Sequence, residues 1–311
     1  MAQPQRTMSA NMSEDLQSAS QGAAPGRLTL VTDLDNTLWD WFAGWYGSFS
    51  AMLEELVLES GIPQDVLEAE IQAVHRQYHT TEYSNLLNEV PSLRQVSTTQ
   101  EPWQSFPKAL EALRSERRRL TKLYPGVVDT LQELRRAGYL IIAYTESVAY
   151  WTEWRIRHLG LDGVLDILFS APDHDLPAGV SVNDLRSRPE TYYGLEKTKH
   201  RHVASGVLKP NVGVLRDILD GANAQIDGTF YVGDSLMKDV AMAQGAGVVD
   251  IHAKYGEVQS KPEYQLLRRV SHWTDDDIER EKQISERRRV VIPTHVCHER
   301  FEELLRFVPL P

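Results

Sequence analysis

Asp33 and Asp35 stand two positions apart at the end of an apolar, β-branched run over residues 28–32. On an extended strand that spacing turns both carboxylates the same way, beyond the strand's carboxyl end. Two like charges that close need a cation or a shared proton to coexist. A hard divalent cation such as Mg2+ meets that need, because it takes one or two carboxylates together with phosphate oxygens. One aspartate is then available to attack phosphorus while the other moves protons. The plainer alternative makes both of them turn residues that cap the next helix.

Further polar residues follow apolar runs downstream: Thr145 after residues 139–144, and Asp234 after residues 228–232. Strand-like runs at 28–32, 139–144, 164–169, 228–232 and 247–251 alternate with amphipathic stretches, among them Val127, Val128, Leu131 and Leu134. That alternation predicts an α/β fold, a mostly parallel, doubly wound, Rossmann-like sheet with helices on both faces. Ligands of such sheets bind outside the carboxyl ends of the strands, where Asp33, Asp35, Thr145 and Asp234 fall.

No strand pattern interrupts residues 41–120, where apolar residues recur at helical spacing (Met52, Leu53, Leu56, Val57). This stretch is expected to be a helical cap inserted after the first strand, with the catalytic core at 27–40 and 121–265. Residues 171–206 are polar, too long for an ordinary connection, and expected to form a lobe, a lid or a flexible excursion. Residues 266–311 read as a charged helical extension whose last amphipathic helix runs near 298–307, and residues 1–26 read as a disordered tail.

The 311 residues carry a formal net charge of -11, which argues against nucleic acid and anionic membrane as partners. No apolar run approaches the roughly 20 residues of a membrane span. The single cysteine, Cys297, fits a reducing, cytoplasmic setting.

Taken together, Asp33-Leu-Asp35-Asn-Thr37, Thr145, Lys209 in Leu208-Lys-Pro-Asn211 and Gly233-Asp234-Ser235-Leu-Met-Lys-Asp239 resemble the four motifs of the haloacid dehalogenase superfamily, phosphatase branch. The resemblance covers residues 28–40 and 121–256. It implies that Asp33 is the nucleophile and that Asp35 protonates the leaving oxygen and later activates water. Thr145, Lys209 and the backbone N–H of Glu146 would hold phosphoryl oxygens. Asp33, the Asp35 carbonyl and Asp234 would bind Mg2+, with Thr37 and Asp239 in support. Glu146 departs from the small or amide residue usual after the motif threonine. The implied function is a Mg2+-dependent phosphatase acting on a small phosphorylated metabolite, as a monomer or homodimer. A phosphomutase of the same family and a non-catalytic regulator are the alternatives, while a dehalogenase is disfavoured by Asp35.

Several residues near the cap carry plainer expectations. Trp39, Trp41, Trp45 and Tyr46 are read as packing between core and cap before substrate stacking. His75, Tyr78 and His79 are read as exposed helix residues, and Arg117 to Arg119 and Arg287 to Arg289 as solvated faces. His200 and His202 lack a metal-ligand set.

Overall fold

The computed structural model describes residues 27–310 apart from 178, 187–188, 190–191, 205, 275–278 and 280–290. The expected tail at 1–26 and Arg287 to Arg289 lie outside the described residues. Seven strands form one parallel sheet: β1 (Thr29–Thr32), β2 (Leu140–Val148), β3 (Ile167–Ala171), β4 (Lys199–His202), β5 (Thr229–Gly233), β6 (Val249–Ala253) and β7 (His295–Cys297). Their order is β4-β3-β2-β1-β5-β6-β7. All four residues of β1 are buried, as its β-branched and apolar sequence requires of a central strand covered on both faces. The chain winds outward from β1 to β4, then returns to the other side of β1. The crevice between the carboxyl ends of β1 and β5 is therefore the switch point of the sheet. This confirms the expected fold class.

Between β1 and β2 lie α1 (Trp41–Ser60), α2 (Gln64–Tyr78), the short α3 (Leu86–Glu89), α4 (Pro91–Val96) and α5 (Pro102–Ser105), α6 (Pro107–Leu120) and α7 (Val127–Arg136). Asp40 caps α1 by accepting from the Ala43 N–H at 2.9 Å, and Gly61 ends it in the left-handed conformation. Phe42, Trp45, Phe49, Leu67, Ile71 and Leu93 form a core of their own, separate from the cluster beneath the sheet. Trp45 stacks on Trp41 and Phe49, and Trp39, 1% exposed, belongs to the sheet's core. The aromatic cluster is thus mainly packing.

The structure differs from the sequence expectations at the sheet's two edges. β4 (Lys-His-Arg-His) has no apolar residue, and β7 has three residues. Both join the sheet through backbone pairing that hydrophobic periodicity does not register. Both are short, and β4 carries Lys199 and Arg201, features that discourage further pairing at a sheet edge. The C-terminal amphipathic helix expected near 298–307 is a 3-10 segment, Phe301–Arg306, whose Phe301 and Leu304 are buried in the main core. Residues 171–206 supply the short α9 (Val182–Leu185) as well as β4. They fold back on α8 (Ala149–His158), where Gly194 N–H donates to Glu153 Oε2 at 2.9 Å and Tyr150 N–H to Asp173 Oδ1 at 2.8 Å.

After α10 (Val212–Gly221) and α11 (Ala241–Ala246), α12 (Tyr264–Val270) packs against α2. Its Tyr264, Leu267 and Val270 complete the core of the inserted helices. His75, expected on an exposed face, is fully buried at this seam, and its Nδ1–H donates to the Val270 carbonyl at 2.6 Å. Burial pushes the His75 imidazole down from 6.5 to about 4. The folded state then binds fewer protons than the unfolded state between those values. The His75 contribution is intact above pH 6.5 and is lost as pH falls towards 4, about 3 kcal/mol in all. Replacing His75 with Gln keeps a donor for Val270 and removes the titration. The difference in melting temperature between wild type and His75→Gln should therefore shrink or invert from pH 7.5 to pH 4.5. A constant difference would place the imidazole in solvent.

Candidate active site

At the switch point the backbone delivers four charged side chains to one small volume. Asp33 follows β1, its N–H donating to the Val232 carbonyl of β5 at 2.9 Å. Asn36 then takes a positive φ of 59°, and its Oδ1 accepts from Phe42 N–H at 3.0 Å, turning the chain into α1. Thr37 Oγ1 donates to Asp33 Oδ2 at 3.1 Å. On the neighbouring strand Gly233 leads into Asp234. A Cβ at Gly233 would lie 2.4 Å from Asp239 Cγ, so glycine is needed for Asp239 to fold back under the loop. Gly256 is equally constrained, because a Cβ there would lie 1.9 Å from the Asn36 carbonyl oxygen.

Lys209 arrives from the loop before α10, whose N-cap Asn211 accepts from Val214 N–H at 3.0 Å. Its Nζ donates to Asp33 Oδ1 at 2.6 Å and to Asp239 Oδ1 at 2.9 Å, with all three side chains buried. The rings of Tyr144 and Tyr231 flank the ammonium, with centroids 4.8 and 5.7 Å away. Tyr231 OH donates to Asp239 Oδ1 at 2.9 Å, and Ser235 N–H donates to Asp239 Oδ2 at 3.1 Å. Asp239 is therefore a brace for Lys209. Tyr231 gave no sequence signal, since a tyrosine inside an apolar strand reads as core.

Carboxylate oxygens of Asp33, Asp234 and Asp239 lie within 4.8 Å of one another. Three oxygen donors so placed suit a hard divalent cation such as Mg2+. The electrostatics agree. Burial, only partly opposed by Lys209 and reinforced by Asp239, pushes Asp33 up to about 7. Burial, then Asp33 and Asp239, push Asp234 well above the usual carboxylate range. Asp239 and Asp33 outweigh burial at Lys209 and hold its ammonium charged. A divalent cation beside them would let Asp33 and Asp234 ionise together.

Asp35 stands apart from this cluster. Its Oδ1 accepts from Trp39 Nε1 at 2.7 Å and its Oδ2 from Ser147 Oγ at 2.6 Å. Burial raises its carboxyl, against Arg155 and the Ser147 hydrogen bond. β2 runs three residues beyond the expected end at Thr145, and its register against β3 shifts between Tyr144 and Val148. That bulge re-aims Thr145, Glu146 and Ser147 at the strand ends. Thr145 is buried, and its Oγ1 accepts from Ser147 N–H at 3.1 Å.

The Glu146 carboxylate is engaged with cations and backbone. Oε1 accepts from Lys209 N–H at 2.6 Å and Oε2 from Lys238 Nζ at 2.7 Å. It braces the Lys209 loop. Of the sequence-predicted residues, Asp33, Lys209, Asp234, Asp239 and Thr37 are brought together, Asp35 and Thr145 border them, and Glu146 reaches them through Lys209. Trp39, Tyr231, Ser147, Arg155 and His252, whose Nε2 donates to the Asp234 carbonyl at 3.0 Å, were not singled out by sequence as site residues. Among the described residues, no helix is long and apolar enough to cross a membrane.

Residues 28–247 match the sequence profile of the haloacid dehalogenase-like hydrolases. The glyceraldehyde 3-phosphate phosphatase of Methanopyrus kandleri is 24% identical over 208 residues, 66% of this chain and 73% of that one. A candidate β-phosphoglucomutase of Thermotoga maritima superposes with a TM-score of 0.50 at 13% identity, covering 91% of this chain and 100% of that one. The magnesium-bound candidate hydrolase YfnB of Bacillus subtilis gives 0.48 at 16% identity, covering 91% of this chain and 99% of that one.

Proposed function

This chain belongs to the haloacid dehalogenase-like hydrolases, and from that premise we propose that it is a Mg2+-dependent phosphatase of a small phosphorylated metabolite. The observation that carries the reading is the buried Lys209 held between Asp33 and Asp239, with Asp35 in a separate hydrogen-bonding environment. Two carboxylates in such different surroundings suit two different roles, nucleophile and proton carrier. The phosphatase relative from Methanopyrus kandleri supports a small phosphomonoester as substrate.

Asp33, the Asp35 carbonyl and Asp234 would hold Mg2+, which supplies charge neutralisation at the transferring phosphoryl group. Asp33 attacks phosphorus while Asp35 gives a proton to the departing alcohol oxygen, leaving an aspartyl phosphate. Asp35, now ionised, takes a proton from water as that water attacks phosphorus, and the Asp33 O–P bond breaks, releasing inorganic phosphate and restoring the Asp33 carboxylate. Lys209 and Thr145 donate to the phosphoryl oxygens. Most of the rate then comes from positioning and charge stabilisation.

Beryllofluoride with Mg2+ mimics the aspartyl phosphate and should raise the melting temperature. A ligand at 100 times its dissociation constant adds about 2.7 kcal/mol, several degrees in a protein of this size. Release of p-nitrophenol from p-nitrophenyl phosphate should require Mg2+. A folded protein that shows neither effect would sink the phosphatase reading and favour a regulator on the same fold.

A further inference from the structure

Beside the site, one buried cation has a hydrogen-bonding group left over. Arg155 on α8 is 3% exposed, and its Nη2 donates to Glu82 Oε1. Its Nη1 is buried with no hydrogen-bond partner and lies 4.0 Å from Asp35 Oδ1. Leaving a buried N–H unpaired is costly, so the placement calls for a reason.

Glu82 lies between α2 and α3, in the inserted helices, and is pinned from several sides. Trp41 Nε1 donates to its Oε2 at 3.0 Å, and Trp151 Nε1 donates to its carbonyl at 2.8 Å. Arg117 of α6 stacks over the Trp151 ring at 4.2 Å, so it is a packed residue of this seam and not a solvated one. The core helix thus carries the guanidinium, and the inserted helices aim it.

We propose that Arg155 is a positioning residue for Asp35, aimed by Glu82, so that seating of the inserted helices on the core fixes the carboxylate that handles the leaving group's proton. The proposal rests on the acid–base role given to Asp35 above. The hydrogen-bond inventory gives it content. Oδ1 accepts from Trp39 Nε1 and faces Arg155 Nη1, and both are groups that can only donate. Oδ2 meets the Ser147 hydroxyl, which donates or accepts. Oδ1 is therefore the oxygen without a proton, and Oδ2 is the one that exchanges it. As the ester P–O bond breaks, Oδ2 gives its proton to the alcohol oxygen and the alcohol leaves neutral. The carboxylate left behind keeps the Trp39 and Ser147 hydrogen bonds and has the Arg155 guanidinium charge 4.0 Å from Oδ1.

The test compares two esters under kcat/KM, which reads the steps through alcohol departure. An alkoxide leaves only with a proton, whereas p-nitrophenolate leaves as a stable anion. Arg155→Met should lower kcat/KM by about 100-fold for 2-glycerophosphate and by less than about 10-fold for p-nitrophenyl phosphate. Arg155→Lys should recover part of the alkyl-ester loss. Glu82→Gln, which keeps the shape of the seam, should show the same ester bias at smaller size, and it decides the matter if Arg155→Met does not fold. Equal losses on both esters, or none on either, would overturn the positioning role. A wild type whose turnover survives Asp33→Asn would instead overturn the phosphatase reading, and this inference with it.

Discussion

Asp33→Asn should reduce Mg2+-dependent ester hydrolysis by on the order of 10⁴–10⁶-fold, the scale on which removal of an enzymatic nucleophile is felt. The same change should stabilise the metal-free protein. Asp33 is buried against Asp239 and Asp35, and its carboxyl is pushed up to about 7 from an ordinary 3.8. A group whose pKa is raised on folding contributes fully at low pH. That contribution is lost as pH rises from about 4 through about 7. Asparagine mimics the neutral form and escapes the loss, so at pH 8 without metal the variant should melt several degrees above wild type. Mg2+ should then reverse the order, because it stabilises the protein that keeps the carboxylate. Thermal unfolding at pH 8 with and without Mg2+, beside initial rates, reads both effects. Turnover within about 10-fold of wild type would remove Asp33 as nucleophile. A variant that melts below wild type without metal would mean that the Lys209 ion pair outweighs the desolvation of Asp33. The expected outcome sets function against stability at this residue, as is common at functional sites.

The parts of this architecture legible in the sequence share one property, local pattern. β1, β2 and β5 are apolar runs ending in polar residues, and the alternation with helices implied a parallel sheet and its binding edge. β4 and β7 were not legible, because Lys199, His200, Arg201 and His202 pair through their backbones and carry no apolar signal. The site divides in the same way. Asp33, Asp35, Lys209 and Asp234 stand in short recognisable motifs. Tyr231 and Trp39 read as core, and they are core, but each also spends one polar atom on a site carboxylate. Arg155 and Glu82 are 73 residues apart and meet only when the inserted helices seat on the core. No spacing rule reports a contact of that kind. Glu146 shows the converse. Its position beside Thr145 was plain, while its engagement with the Lys209 N–H and Lys238 depended on segments 63 and 92 residues away.

The second large effect expected is on Lys209→Met, because this one ammonium separates two buried carboxylates. Its Nζ lies 2.6 Å from Asp33 Oδ1 and 2.9 Å from Asp239 Oδ1, and its side chain is 3% exposed. Methionine keeps most of the volume and the contacts with the Tyr144 and Tyr231 rings but leaves Asp33 and Asp239 facing each other without a cation. Breaking a buried ion pair from one side costs about 3–5 kcal/mol. Loss of a preorganised donor to the phosphoryl group costs a further 10²–10³-fold or so in rate. The pH dependence separates these causes from simple loss of packing. Without Lys209, which holds the Asp33 carboxyl down, that carboxyl is raised further on folding, so the folded variant binds a proton that its unfolded chain has released. Its deficit against wild type should be small near pH 5, where Asp33 can protonate, and grow towards pH 8. Mg2+ should recover part of the stability at pH 8, since it supplies positive charge to the Asp33 carboxylate, but not the rate, since the donor is still missing. A stability deficit that stays flat from pH 5 to pH 8 would assign the loss to packing and would take from Lys209 its role as the cation between Asp33 and Asp239.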